Sequence, residues 1–265
     1  MHGRVLIIAG SDSGGGAGVQ ADIKTVSMLD AYAATAITAL TAQNTEGVFG
    51  VLPIPPDFVR RQIEVVLDDI GADAIKTGML HDLAVIETIA AVLRERAVGI
   101  PLVVDPVMVA KGGARLIDPA ALDGLRRLLI ARAEILTPNL PEAEILCGRS
   151  IGNLAEMRAA GESLLALGCR SVLVKGGHLS GPTVSDVLVT ASGARVWESP
   201  RLATRHTHGT GCTLASAIAA GVAQGLNVEA AVERARDYVQ RAIANAPGLG
   251  RGHGPLGHSH PLHST

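Results

Sequence analysis

Residues 4–10 read RVLIIAG, a short apolar run, rich in branched side chains, that stops at Gly10. A run this short, with no polar alternation, reads as a strand buried on both faces, and such strands belong to parallel sheets covered by helices. The chain around it repeats the pattern. Val19 to Leu29 reads as a helix and Ala34 to Leu40 as a second strand. Pro55 and Pro56 open a helix whose apolar residues Val59, Ile63, Val66, Leu67 and Ile70 recur at helical steps. Strands at Ala72–Lys76, Pro101–Asp105, Glu134–Thr137 and Ser171–Lys175 alternate with helices at Leu83–Arg96, after Pro119, after Pro141 and at Ala155–Leu167. Ser185–Thr190 and Ala194–Glu198 flank a Ser-Gly turn and read as a hairpin. Helices at Thr210–Gln224 and Val228–Ala244 close the chain, the second with Val228, Ala231, Val232, Ala235 and Val239 on one face. Repeated strand–helix units of this kind predict an α/β fold in three layers, α/β/α, with a mostly parallel central sheet and a small hairpin element. With no linker and no internal repeat, residues 1–265 read as a single domain.

Composition narrows the function. The 265 residues are 48% hydrophobic, enough for a large core and far from the make-up of a disordered chain. Lys+Arg number 23 against 25 Asp+Glu, so no basic face is expected, and nucleic acid is excluded as a partner. Aromatics at 2% leave no base-stacking platform. Cys147, Cys169 and Cys212 show no C-x-x-C spacing and no disulfide framework, which suits a reducing cytoplasm. The N-terminal MHGRVLIIAGSDSGG has too short an apolar stretch for a signal peptide. The longest uncharged stretch, His206 to Val228, is interrupted by His, Thr, Gln and Gly and is too short in its apolar part to span a bilayer, so no membrane partner is expected.

In a sheet of this class the ligand lies beyond the carboxyl ends of the strands. There the sequence places Gly10, Gly78, Asp105, Pro138-Asn139 and Lys175-Gly176-Gly177. Any one of these glycines reads as a tight turn, but loops sharing one polar bias read as a site. No G-x-x-x-x-G-K-[ST] is present. Gly16-Ala17-Gly18-Val19-Gln20-Ala21 matches G-x-G-x-x-A, but it starts too far beyond the strand to be a dinucleotide fingerprint. This glycine run is expected to let backbone approach a ligand or to form a flexible lid.

His208-Gly209-Thr210-Gly211-Cys212-Thr213 immediately precedes an Ala-rich helix. Freed backbone and unpaired first-turn N–H groups make an anion hole there, favoured by the helix dipole. A thiol in that position is expected to have a depressed pKa and to stand as thiolate near neutral pH. The plainer reading makes Cys212 a small buried hydrophobe after a capping turn. Asn139-Leu140-Pro141-Glu142 likewise has two readings: a capping box, or an amide and a carboxylate that, with Asp105, organise hydrated Mg²⁺ and phosphate. In the tail, His253, His258, His260 and His263 have no regular ligand spacing and no acidic or Cys companion, so an ordinary surface tail is expected rather than a metal site.

Taken together, IAGSDSGGGAGVQADIKT, ITALTAQNTEGV, IKTGML, VVDPVMVAKGG, LTPNLPEAEIL, VLVKGGH, THGTGCTLASAIAAG and the His-rich tail resemble the ribokinase-like superfamily. Within it they resemble the hydroxymethylpyrimidine/phosphomethylpyrimidine kinases of thiamine biosynthesis, over nearly the whole chain. Cys212 stands where most of that superfamily has Asp. Ser13-Gly14 stands where many relatives have Pro-Ser. The resemblance implies ATP- and Mg²⁺-dependent phosphorylation of 4-amino-5-hydroxymethyl-2-methylpyrimidine to its monophosphate, then its diphosphate. It implies that Gln43 reads the pyrimidine edge, with Gly10, Met79 and Val107 closing the pocket. Cys212 would face the hydroxymethyl group, and Gly209, Thr210 and Gly211 would hold the transferring phosphate. Asn139, Glu142 and Asp105 would organise Mg²⁺ and phosphate, Lys175 would meet nucleotide phosphates, and Thr207 would lie near the nucleotide. A homodimer is implied as well. The alternatives are a pyridoxal or pyridoxine kinase of the same superfamily and a non-catalytic pyrimidine-binding regulator.

Overall fold

In the computed structural model, residues 2–108 and 119–263 are described; the 109–113 end of VVDPVMVAKGG lies outside them. RVLIIA is the centre of β1 (Arg4–Asp12), and Val5, Leu6, Ile7 and Ile8 are wholly buried. Alternate residues of β1 face opposite cores: Leu6 and Ile8 join one apolar cluster, Val5, Ile7 and Ala9 the other. This is the consequence of period-two side chains in a sheet covered on both sides.

The remaining strands are β2 (Tyr32–Gln43), β3 (Val48–Pro53), β4 (Ala74–Thr77), β5 (Leu102–Val104), β6 (Ile135–Leu136), β7 (Ser171–Val174), β8 (Thr183–Thr190) and β9 (Gly193–Pro200). They form one nine-stranded sheet in the order β3-β2-β1-β4-β5-β6-β7-β8-β9. The strands from β2 through β7 in that order pair in parallel, and the two ends are antiparallel hairpin strands. Helices α2 (Pro56–Asp69), α3 (Leu83–Arg96), α4 (Pro119–Gly124), α5 (Leu140–Cys147) and α6 (Leu154–Leu165) cover one face. Helices α1 (Gly18–Met28), α7 (Thr210–Ala223) and α8 (Val228–Ala244) cover the other. The expected three-layer α/β/α architecture, parallel sheet and β8–β9 hairpin are all present.

Two features differ from the sequence reading. The edge strand β3 was not expected. Its Phe49, Val51 and Leu52 are exposed and Gly50 interrupts it, so it carries no alternation of buried and polar positions. Its neighbour β2, and β1 beyond it, also run further than their apolar runs suggest, β1 to Asp12 and β2 to Gln43. These polar extensions leave the covered core and reach the rim where the site lies.

The second difference is the tail, which is not a surface tail. His258 and His260 are buried, His258 facing Thr213 Oγ1 at 3.0 Å, one residue after Cys212. The Tyr238 hydroxyl donates to the His258 carbonyl at 2.8 Å, and the His253 N–H donates to the Thr45 carbonyl at 2.9 Å. The tail thus ties the end of β2 to the start of α7. Desolvation, aided by Lys24, lowers the His258 pKa from 6.5 to about 4. A depressed histidine favours the fold while it stays neutral. Its contribution is complete above pH 6.5 and is lost as pH falls toward 4. His258→Gln, which keeps a neutral polar group beside Thr213, is expected to remove on the order of 3 kcal/mol of the acid destabilisation across that window. Thermal melts of both proteins at pH 7 and pH 4 measure it; equal losses of Tm would refute the assignment.

Candidate active site

A cavity of about 770 Å³ opens at the carboxyl ends of β1, β2, β4 and β5, within the range of small-molecule sites. Its wall includes Gly10, Gln43, Met79 and Val107, and also Asp105, Glu142, Lys175, Thr207 and the Gly209–Cys212 turn. Asn139 does not line it. Instead Asn139 stands behind the wall, bridged to Lys175 and positioning Glu142.

Met79 packs its methyl end directly on the Gly10 backbone: a Cβ at position 10 would lie 2.4 Å from Met79 Cε. Gly209 occupies the N-cap position of α7 with φ +82°, and no side chain caps that end. A Cβ on it would meet the Gly16 carbonyl oxygen at 1.8 Å, so the two glycine-rich turns touch backbone to backbone. The Gly14–Gly18 run therefore admits the His208–Gly209 turn. Asp12 holds the run in this conformation by accepting the N–H groups of Gly14, Gly16 and Ala17 at 2.8, 3.1 and 2.8 Å, and Ala17 and Gly18 line the cavity.

The capping box at α5 is real. The Asn139 side chain accepts from the Glu142 N–H at 2.9 Å, and Glu142 Oε2 accepts from the Asn139 N–H at 2.8 Å. Glu142 is nonetheless buried and faces the cavity. Desolvation pushes its carboxyl up to about 7; Asp105 adds to this and Lys175 opposes it. Lys175 Nζ donates to Asp105 Oδ1 at 3.0 Å. Desolvation works against the Lys175 charge, but Asp105 and Glu142 hold its pKa above the ordinary value. Two carboxylates and one ammonium thus form a charged corner beside Gly211, whose Cβ would come 3.2 Å from Lys175 Nζ.

The Cys212 expectation is overturned. Its thiol is pushed up to about 12. Desolvation is the main cause, and Asp22 and Asp105 reinforce it against the opposing Lys76. The helix terminus that would favour thiolate is outweighed by low-dielectric surroundings and nearby carboxylates.

Several site residues were not singled out in the sequence. Lys76, on β4, lines the cavity while wholly buried, and its Nζ meets Asp22 Oδ2 at 2.8 Å. Asp22 Oδ1 accepts from the Ser216 hydroxyl at 2.7 Å. Asp12 pairs with His208 at 2.9 Å. Asp186 takes the Gly176 N–H at 2.9 Å and the Arg236 guanidinium at 2.7 Å, steadying the turn after β7. The signal for Lys76 was available: it is a charged residue inside a strand whose neighbours are all buried.

A family model described as Phosphomethylpyrimidine kinase matches residues 12–257. The Hydroxymethylpyrimidine/phosphomethylpyrimidine kinase of Bacillus subtilis is 46% identical over 256 residues, covering 96% of this chain and 94% of that protein. The Thiamine biosynthesis bifunctional protein ThiED of Geobacter sulfurreducens is 51% identical over 97% of this chain, which spans 52% of that protein's length. Among solved structures, phosphomethylpyrimidine kinase from Clostridium difficile superposes with a TM-score of 0.81 at 42% identity, covering 91% of this chain and 99% of that one. An ADP complex of Bacillus subtilis pyridoxal kinase superposes with a TM-score of 0.92 at 37% identity, over 100% of both chains.

Proposed function

The chain belongs to the phosphomethylpyrimidine kinase family, and from that premise we propose the reaction its cavity carries out. ATP would phosphorylate the hydroxymethyl group of 4-amino-5-hydroxymethyl-2-methylpyrimidine. A second transfer would convert the monophosphate to the diphosphate, as a step of thiamine biosynthesis. One observation carries this reading: a single cavity is lined both by Gln43, Met79 and Val107 and by Gly209–Cys212, Lys175 and Asp105. Met79 and Val107 beside the Gln43 amide suit a small heterocycle. The helix start and the lysine suit phosphates.

Phosphoryl transfer asks mainly for positioning and charge neutralisation. Gly209, Thr210 and Gly211 would present N–H groups to the moving phosphoryl group. Lys175 would meet the nucleotide phosphates, with Thr207 at the nucleotide side. Cys212 would take the hydroxyl proton. The donor set of Glu142 and Asp105 fits a Mg²⁺ ion carried in on the nucleotide: both are hard carboxylates in one corner, and such an ion keeps much of its water shell. Once bound it would neutralise phosphate charge. Among the described residues no group of three or more His, Cys, Asp or Glu is arranged to hold a metal without the nucleotide.

The test is a product profile by mass after incubation with Mg-ATP and, separately, the pyrimidine alcohol, its monophosphate and pyridoxal. Mono- and diphosphate are expected from the first two. Failure to accept the monophosphate would refute the two-step assignment. Pyridoxal phosphate as the dominant product would favour the second reading, which rests on the whole-chain superposition on a pyridoxal kinase.

A further inference from the structure

Gln43 is the amide that would read the heterocycle, and a primary amide has two faces that differ by a half-turn. One face offers its oxygen where the other offers N–H. A side chain free to turn would read donor and acceptor patterns equally well. The surroundings of Gln43 decide which face the cavity meets.

Start with Asp12. Its oxygens accept N–H bonds from Gly14, Gly16 and Ala17. Burial works against its charge, but the bonds from His208, Ala17 and Gly14 hold the carboxyl below its ordinary value. Asp12 is therefore a carboxylate and only accepts. His208 Nε2 lies 2.9 Å from Asp12 Oδ2, so Nε2 carries hydrogen and donates. The same Nε2 lies 3.2 Å from the amide atom placed as Gln43 Nε2. Two N–H groups facing each other satisfy neither, and amide oxygen and nitrogen are assigned by their partners, so a half-turn of the Gln43 amide is the satisfied arrangement: it brings the carbonyl oxygen to Nε2, where it shares with Asp12 the one hydrogen that nitrogen carries.

Thr41 gives the same answer from the opposite side. Its hydroxyl spends its one hydrogen on the Ser11 carbonyl at 2.8 Å. The amide atom placed as Gln43 Oε1 lies 3.3 Å from that hydroxyl, which has only lone pairs left, so the same half-turn that suits His208 brings the NH₂ group to Thr41. Neither neighbour can shift freely. A Cβ on Gly16 would lie 2.5 Å from His208 Cδ2, so the imidazole packs directly on that backbone. Ser13 holds the Gln43 main chain at both ends, its Oγ accepting the Gln43 N–H and donating to the Gln43 carbonyl, each at 2.8 Å.

We infer that His208, oriented by Asp12, and Thr41 together lock the Gln43 amide in one orientation and so determine which heterocycle edge the site accepts. His208 and Thr41 are positioning residues; neither is assigned contact with substrate. The remaining oxygen lone pair and the remaining N–H form one ordered acceptor–donor pair. That pair matches an exocyclic amine beside a ring nitrogen that carries a lone pair. It opposes a ring carbonyl beside a ring N–H, in which both roles are exchanged. The inference deepens the proposed pyrimidine reading and rests on it for the ligand, but the lock itself is a property of the protein alone.

The experiment has two arms. In the first, kcat/KM is measured for the 4-amino pyrimidine alcohol and for its 4-oxo analogue. Wild type is expected to favour the amino compound about 10²-fold or more, because the 4-oxo analogue leaves both members of the acceptor–donor pair without a partner. In His208→Leu and, independently, Thr41→Val, the ratio is expected to fall below about 10-fold, through KM more than kcat, because the amide can then turn. A ratio unchanged in either folded variant would overturn the lock. In the second arm, ¹⁵N spectra of ligand-free protein report the His208 ring nitrogens. Hydrogen on Nε2 is expected, and a bare Nε2 would overturn the lock whatever the substrate. If neither pyrimidine is a substrate but Nε2 is protonated, the functional reading fails and the lock stands.

Discussion

Cys212→Ala is expected to lower turnover about 100-fold, the lower end of what a general base contributes, while nucleotide binding persists. The lower end follows from a loose transition state, in which the alcohol gives up its proton late. The raised thiol pKa changes how that proton is taken. With a pKa of about 12 the ligand-free enzyme holds a thiol, not a standing thiolate. At pH 8 only about one molecule in 10⁴ would be ionised. Alkylation of Cys212 by iodoacetamide, followed by peptide mass spectrometry to separate it from Cys147 and Cys169, should therefore be slow. Its rate should rise about tenfold per pH unit through pH 9 with no plateau. A plateau below pH 8 would show that the helix start wins after all. Cys212→Asp should recover part of the turnover, since a carboxylate reaches the same position without needing the strong base that a raised thiol pKa demands. Near-full activity in Cys212→Ala would make the thiol packing alone, leaving the N–H groups of the Gly209–Gly211 turn to carry the reaction.

Much of this molecule was legible because its parallel strands are short, apolar and doubly buried. RVLIIA and the Leu102–Val104 run could take only one role, and the helices between them kept their period. The residues that fail to read are those whose role is fixed by partners far away in sequence. Asp12 and His208 are 196 residues apart, Asp22 and Ser216 are 194 apart, and Thr213 and His258 are 45 apart. Spacing alone says nothing about such pairs. Cys212 shows the converse case. Its place at a helix start was read correctly, but its pKa was not, because the low-dielectric setting and the Asp22 and Asp105 charges arrive from other strands and helices. Asn139 and Glu142 show a third. The capping geometry involves both residues while Glu142 alone also turns a carboxylate to the cavity, so a cap and a cavity-facing group are not exclusive.

The Lys76–Asp22 pair gives the largest expected change in stability. Both side chains are fully buried, and the ammonium stays charged because Asp22 faces it at 2.8 Å. Lys76→Met removes one member and leaves the other without its counter-charge in the core. Breaking a buried pair in this way costs about 3–5 kcal/mol. For a chain of this size that lowers Tm by roughly 6–20 °C. Adding Asp22→Asn should recover most of the loss, because a neutral amide still accepts from the Ser216 hydroxyl and no charge remains to be paired. The double variant then separates stability from function. Ser216 lies one helical turn after Cys212 on α7, so the pair sits beneath the thiol, and Lys76 is the cation that opposes its raised pKa. The double variant takes from the thiol both Lys76, which opposes its raised pKa, and Asp22, which reinforces it, so what it loses for function is the cation in the cavity wall: a well-folded double variant should still turn over at least about tenfold more slowly than wild type. A stable, fully active double variant would reduce the pair to packing. A Lys76→Met melt within about 2 °C of wild type would show that Asp22 takes up a proton at little cost when its partner leaves.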